Sequence, residues 1–591
     1  MNFKSKLQYP LDVEYILRKK KFIKRKLLEN ENFVEIKIAI LGGSTTNEIK
    51  NLIEIFLLNT GIKPIFYESE YNKFYEESVF ENKDLDQFNP DIAYIHTTNK
   101  NISNYPDIID RDISIDNLIN LELEKFQKIW DSLDKYNCDI IQNNFDLLPN
   151  RYFGDFDAYS NFGRINFINL LNVEFSKKAN AIKNLYLNDI HYLSSLIGIK
   201  NWYDKNLWYQ AKYALSYSAI PELAFNVSKI VSIIYGKTKK CIVLDLDNTC
   251  WGGVIGDDGQ AGIDIGPEST IGQAYQEFQK YILDLHKRGI TITVCSKNDF
   301  NTAKSGFDHP DSILSFSNFS AFEANWNSKD INILKIAKDI NLSTNSIVFV
   351  DDNPVEREIV SNQIPDVAIV NASQITDFID HIDRNGFFDI LSLSNEDFIR
   401  NKFYVDNSKR DTELKKFENY NDFLKSLNMT AEIDTFKDIY LDRINQLINK
   451  TNQFNLTTQR YTLSQIKEIN KDRNYITLYG KLFDKFGDNG IVSIIIGKIK
   501  NDECHIQLFL MSCRVIKRTM EYSMMNEFFN SCRNKGIKKI YGYYVPTKKN
   551  KMTENLFKTI GFEFLKKDGN NFVWQKKTNS THENLSLIKI I

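Results

Sequence analysis

The chain lacks the cysteine pairing that marks an oxidising compartment. Its seven cysteines, at 138, 241, 250, 295, 504, 513 and 532, are odd in number and scattered, with no C-x-x-C pair. That pattern suits reduced thiols in a cytoplasm. A long apolar run is lacking as well. The amino terminus, MNFKSKLQYPLDVEY, has no apolar h-region, and no stretch of about 18 apolar residues occurs. The expectation is a soluble, cytoplasmic protein with no membrane partner. Excess charge of one sign is absent too: the formal net charge of −2 gives no reason to expect a nucleic-acid partner. What the chain has is length and apolar content. At 591 residues it exceeds one core, so three or four domains are expected. A hydrophobic fraction of 42%, with 41 Phe and 29 Tyr, indicates a globular chain, not a disordered one.

The stretch 243–259, VLDLDNTCWGGVIGDDG, carries the clearest chemistry. The apolar run Ile242 to Leu244 delivers Asp245 and Asp247 at i and i+2. A buried strand ending this way puts two carboxylates at its carboxyl end, where open α/β sheets place ligands. Side chains alternate along a strand, so both carboxylates face one site. Such an oxygen-rich site suits Mg²⁺, and one carboxylate can attack phosphorus while the other moves the proton. A second apolar strand, Ile292 to Cys295, ends in Ser296-Lys297-Asn298. Lys329 opens a periodic helix, and a third strand, Ile347 to Val350, ends in Asp351-Asp352-Asn353-Pro354. These elements, in this order, resemble the four motifs of the haloacid dehalogenase (HAD) superfamily. The resemblance makes Asp245 the nucleophile and Asp247 the acid/base. Ser296 and Lys329 then hold the phosphoryl group, and Asp245, Asp247 (through its carbonyl), Asp351 and Asp352 are the Mg²⁺ ligands. Only 48 residues separate Asp247 from Ser296, filled by a Gly-rich hairpin over 251–256 and a helix ending at Gly289. No room remains there for a full cap domain, so a bulky substrate can enter.

The residues before this core, 1–236, open with a basic helix (Arg18 to Lys26) whose apolar positions recur at helical spacing. The pattern predicts a solvated face, with a docking face for an acidic partner as the alternative. Strands at 36–41, 63–66, 92–95 and 140–141 then alternate with helical stretches, which predicts a parallel sheet. This part resembles an SGNH hydrolase. Ser44 stands where that superfamily has its nucleophile, Asn143 where it has an oxyanion-hole Asn, and Asp189 and His191 are its remaining pair. The match departs in two places: G-D-S reads G-G-S, and D-x-x-H reads D-x-H. A serine without a correctly held histidine is a poor nucleophile, so a retained scaffold or carrier-docking domain is expected.

After a charged segment at 386–416, residues 417–576 resemble a GNAT acyltransferase, and a polar tail, 577–591, follows. The GNAT pyrophosphate loop, R/Q-x-x-G-x-G/A, corresponds here to Arg514-Val-Ile-Lys517-Arg518-Thr519, with both glycines replaced. Close backbone approach to a phosphate is then not expected. Arg514, Lys517 and Arg518, with Asn298 of the HAD part, are the candidate phosphate or pantetheine contacts. The expected architecture is an α/β multidomain chain. It comprises an SGNH-like (flavodoxin-like) domain at 1–236, a HAD Rossmannoid core without a large cap at 237–385, and a GNAT-like α+β domain.

The order of parts, with DLDNTCWGGVIGDDG, VCSKND, ANWNSK, VFVDDNPVERE, NKTNQFNLTT and MSCRV, resembles the FkbH-like proteins of polyketide biosynthesis. The resemblance implies loading of a glyceryl unit. The acyl phosphate of 1,3-bisphosphoglycerate forms an enzyme thioester, loses its 3-phosphate, and passes glyceryl to the phosphopantetheine thiol of an acyl carrier protein. Cys295, beside Ser296, is the first candidate acyl acceptor and Cys513 the second; a buried structural role is the alternative for Cys295. Two other readings stay open: a relative using another phosphorylated acyl donor in surface-polysaccharide or other acyl modification, and a non-catalytic carrier-docking scaffold.

Overall fold

The computed structural model describes residues 3–29, 33–109, 114–392, 410, 413–414, 416–451, 453–512, 515–547, 549–569, 571–579 and 585–591. Most of the expected linker, together with Cys513, Arg514 and part of the tail, lies outside the described residues. The chain divides into two compact units. One is Met1–Lys237 with Thr462–Gln465, and the other is Thr238–Tyr461 with Ile466–Ile591. Among the described residues no helix is long and apolar enough to cross a membrane.

The first unit is built on β1 (Val34–Gly42), β2 (Ile62–Glu68), β3 (Ile92–His96), β4 (Asp139–Asn143) and β5 (Leu185–Asn188), in the order β2-β1-β3-β4-β5. All neighbours are parallel. The last five residues of β1 and all of β3 and β4 are buried, as expected of strands covered on both faces. Strand order reverses between β1 and β3, which is the switch point where this topology places ligands. Phe126, Phe145 and Phe175 meet edge to face at 5.1–5.6 Å, each pair adding about 0.5–1.5 kcal/mol. The basic helix Val13–Leu28 buries Ile16, Ile23 and Leu27. Lys20 and Lys24 pair with Glu48 and Glu54 of the helix Asn47–Asn59, so part of the expected solvated face is an intramolecular contact.

The second unit holds two sheets. The first contains β6 (Cys241–Leu244), β7 (Thr291–Ser296), β8 (Ala321–Ala324), β9 (Ile347–Val350) and β10 (Ala368–Ile369), parallel in the order β10-β9-β6-β7-β8. Leu244 pairs with both Val294 and Val350. The three central strands therefore end level, and Asp245, Ser296 and Asp351 emerge at one edge. Between Asp247 and Ser296 stand a four-residue helix, Ile255–Asp258, and an 18-residue helix, Thr270–Lys287. The expected hairpin over 251–256 is not formed. Isolated bridges at Asp247–Trp251 and Gly252–Asp264 lead into one helical turn instead, because Val254 N–H caps back onto the Asp258 carboxylate.

The other sheet contains β11 (Thr430–Asp434), β12 (Phe454–Asn455), β13 (Tyr475–Asp484), β14 (Gly487–Lys500), β15 (Glu503–Met511), β16 (Lys539–Tyr544), β17 (Glu563–Asp568), β18 (Asn571–Lys577) and β19 (Lys589–Ile590). Eight of them run β17-β18-β16-β15-β14-β13-β11-β19, and β12 pairs with β15. The helix Met520–Asn534 buries Met520, Met524, Phe528 and Cys532 on this sheet. The tail, for which no role is expected from the sequence, ends as β19 beside β11.

Candidate active site

Asp245 leaves β6 with its backbone N–H on the Val350 carbonyl, 3.0 Å away. Its carboxylate is almost fully buried. One oxygen, Oδ2, lies 2.9 Å from Lys329 Nζ. The other, Oδ1, is buried with no hydrogen-bond partner. An unsatisfied carboxylate oxygen in a dry site costs several kcal/mol unless something positive meets it. Carboxylate oxygens of Asp245, Asp351 and Asp352 lie within 4.8 Å of one another. Three carboxylates, one of them carrying the orphaned oxygen, fit a hard divalent cation.

Lys329 opens the helix Lys329–Asp339 and is buried. Its ammonium also contacts Asp351 Oδ2. Burial works against that charge, but the Asp245 and Asp351 carboxylates more than offset it, so Lys329 stays protonated. Burial, reinforced by the negative charge of Asp245, pushes Asp351 up to about 6. Asp352 is raised for the same two reasons. Asp351 Oδ1 accepts the N–H of Asn353 at 2.9 Å.

Asp247 is placed differently. Its Oδ1 accepts Trp251 Nε1–H at 3.0 Å and the Ile255 N–H at 3.1 Å, and its Oδ2 accepts Asn298 Nδ2–H at 2.8 Å. Its carboxylate is therefore not in the clustered set, and the ligand role expected of Asp247 falls to its carbonyl, not its side chain. Asn298 also donates to Ser296 Oγ, 3.3 Å away. The amide expected to touch a phosphate thus ties the second motif to Asp247.

Cys295 precedes Ser296 but faces the other way. It packs with Val243, Ile333 and Phe349, and its thiol contacts the Lys329 carbonyl at 3.7 Å. Burial pushes its pKa well up, despite the nearby Lys329, so a thiolate is disfavoured there. The alternation that points Ser296 into the site points Cys295 into the core, which corrects the expectation of an accessible acyl acceptor. Cys513 and Arg514 lie outside the described residues. Lys517 is exposed, while Arg518 is turned inward onto Asp484 at 3.2 Å, a carboxylate that also takes Arg410 at 2.7 Å. Arg518 is therefore engaged within the domain, not held out for a phosphate.

Three contributors were not singled out from the sequence. Arg357, in the first turn after Asn353-Pro354, donates Nη1 to the Asp351 carbonyl at 2.6 Å and the Asp352 carbonyl at 2.8 Å, and Nη2 to Ser373. Thr249 Oγ1 accepts the Asp352 N–H at 3.3 Å. Trp251 holds Asp247. The one available signal is spacing: Pro354 at the helix start returns the residue three positions on to the Asp-Asp turn.

In the first unit the expected serine, asparagine, aspartate and histidine do not form one group. Ser44 Oγ meets His96 Nε2 at 3.1 Å, and Asn143 Nδ2 meets His96 Nδ1 at 3.1 Å. Asp189 caps the helix Ile190–Ile197 by accepting the Tyr192 N–H, and His191 contacts Asn172. The D-x-H spacing spends the aspartate on a helix cap. The Gly43 that replaces the usual Asp has a reason too: a Cβ there would stand 2.4 Å from the Asn101 side chain.

Residues 37–232 match the family described as FkbH, N-terminal domain. The N-terminal part of the Bacteroides fragilis protein BF1531, containing a phosphatase domain complexed with Mg, shares 28% identity with a TM-score of 0.57. That match covers 63% of this chain and 99% of the other. Residues 37–232 are FkbH-like. The site above follows that match in the chain, on the parallel β6–β10 sheet that carries the carboxylates. Two acetyltransferase structures also match part of it. The PaiA N-acetyltransferase of Thermoplasma acidophilum has 16% identity and a TM-score of 0.19, covering 25% of this chain and 99% of that one. The GNAT domain of Streptomyces lividans PAT has 10% identity and a TM-score of 0.22, covering 25% and 90%. No curated protein matches the chain.

Proposed function

We propose that this FkbH-like chain is a Mg²⁺-dependent phosphotransfer enzyme of the HAD type. The observation that carries the reading is the orphaned Asp245 Oδ1 beside Asp351, Asp352 and Lys329. The Mg in the phosphatase-domain structure of the Bacteroides fragilis protein supports it. Asp245, Asp351 and Asp352, with the Asp247 carbonyl, would hold the ion; when bound, it neutralises phosphate charge.

The protein's own groups then act as follows. Asp245 attacks phosphorus in line and becomes an aspartyl phosphate. Asp247, held by Trp251, Ile255 and Asn298, gives its proton to the leaving oxygen and then takes one from the water that clears Asp245. The Ser296 hydroxyl and the Lys329 ammonium donate to the phosphoryl oxygens, where charge spreads in the transition state. Asp245→Asn is expected to abolish phosphate release with unchanged circular dichroism; substantial residual release would sink the assignment.

The finer reading is acyl loading: a glyceryl unit taken from 1,3-bisphosphoglycerate, freed of its 3-phosphate and passed to an acyl carrier protein. Family resemblance supports it. Because Cys295 is sealed in the core, Cys513 is the residue to test as acyl acceptor. Intact-mass analysis of the protein with Mg²⁺, 1,3-bisphosphoglycerate and holo carrier decides. A glyceryl adduct lost in Cys513→Ala and moving to the carrier supports loading. Asp245-dependent phosphate release without any adduct keeps the phosphotransfer and rejects glycerate.

A further inference from the structure

The switch point of the first unit holds a serine, a histidine and an asparagine at the carboxyl ends of β1, β3 and β4. Ser44 and His96 are buried and joined by a 3.1 Å hydrogen bond. At first sight this is a nucleophile with its base. A working pair needs the serine to donate to an unprotonated Nε2, with the proton of the ring on Nδ1 and an acidic group accepting it. The direction of the bond is therefore what matters, and the surrounding amides fix it.

Asn143 Nδ2 lies 3.1 Å from the Thr97 carbonyl oxygen. That oxygen can only accept, so the Asn143 amino group must face it. The other side of the amide agrees: Asn143 Oδ1 accepts Asn188 Nδ2–H at 2.7 Å, and Asn188 Oδ1 accepts Asn226 Nδ2–H at 2.7 Å. With the amide so oriented, the second Asn143 N–H points at His96 Nδ1. The Tyr94 hydroxyl meets the same nitrogen at 3.0 Å; the Asn143 and Asn188 amides already donate to its oxygen, so its hydrogen goes to Nδ1. A proton on Nδ1 would face the Asn143 donor head-on. The ring must carry its proton on Nε2 and give it to Ser44 Oγ. Full burial of His96 leaves no water to supply a second proton, and it pushes the imidazole down to about 4.

We infer that the Ser44–His96 pair is locked in the reverse hydrogen-bond direction, with Asn143 as the lock. Histidine donates to serine, so it cannot take the serine's proton. Ser44 keeps its own hydrogen, which it can give to a carbonyl or phosphate oxygen but cannot lose to a base. The switch point is then a hydrogen-bond-donor site without nucleophilic chemistry. The same tautomer error in a serine protease lowers kcat by about 10⁴.

Two measurements on the full chain test this. In ¹⁵N-histidine-labelled protein, with His96→Gln used for assignment, the His96 proton is expected on Nε2 from pH 5 to 9. A proton on Nδ1, or a doubly protonated ring near neutrality, overturns the inference. With a fluorophosphonate serine probe and intact-mass detection, no adduct on Ser44 is expected. An adduct that disappears in Ser44→Ala overturns it. Asn143→Asp supplies an acceptor in place of the donor and should move the proton to Nδ1; a proton that stays on Nε2 removes Asn143 as the lock. The wild-type measurements stand whether or not that variant folds.

Discussion

Arg357 reaches no carboxylate of the cation set, yet its guanidinium grips the backbone carbonyls of two of those residues. Groups that orient ligands are commonly worth 10–100-fold in metal affinity. Arg357→Ala is expected to weaken Mg²⁺ binding by roughly that factor in titration calorimetry, and Arg357→Lys, which lacks the fork, to recover only part of it. Trp251 acts on Asp247 alone. Trp251→Phe should lower kcat for phosphate release about tenfold while leaving Mg²⁺ affinity unchanged. Asp245, Ser296 and Asp351 were legible in the sequence, because a polar residue closing an apolar strand has few other reasons to be there, and Lys329 was legible from its place at the start of a periodic helix, in order between them. Arg357 was not, since a guanidinium bound to main-chain carbonyls leaves no partner residue type to look for. His96 closes β3 in the same way, but the weight given to the D-x-H pair hid it.

At the scale of elements, the parallel strands stand where their apolar runs predict, and the turns between them are where reading failed. The stretch 251–256 looked like a hairpin because glycines suggest one; a side-chain cap from Asp258 turned it into a helical turn. The loop before the helix Met520–Asn534 shows the reverse case. Both glycines of the expected loop are replaced, yet Lys517 has φ +67° and Thr519 φ +63°. Two side chains thus hold the left-handed conformation that glycine adopts freely, at a cost of about 1–2 kcal/mol for each. Thr519 has a compensating contact, its hydroxyl accepting the Leu587 N–H at 3.2 Å. Lys517 is exposed, and glycine there should relieve the strain. Lys517→Gly is expected to stabilise the chain by on the order of 0.5–1 kcal/mol in urea unfolding; a loss of stability would show that the lysine side chain matters.

Across the whole molecule, the buried histidine couples folding to pH. An unfolded histidine titrates near 6.5, and His96 is depressed to about 4 by burial. The unfolded chain therefore takes up a proton that the native one refuses. Its contribution is fully present above about pH 6.5 and is lost as pH falls toward 4, a difference of about 3 kcal/mol. Between pH 7 and pH 4, His96→Gln should lose about that much less stability than the wild type; equal losses would mean that His96 is protonated in the native state. The level ends of β6 and β9 have a consequence of another kind. Strand β6 is central to its sheet, and β9, which pairs along one of its edges, comes roughly 100 residues later in the chain. At ribosomal rates of about 5–20 residues per second, Asp245 is made some 5–20 s before Asp351. For that interval a strand meant for the interior has an open edge, and the aspartate it carries has no companion, so the cation site cannot assemble before the nascent chain has passed Asp352.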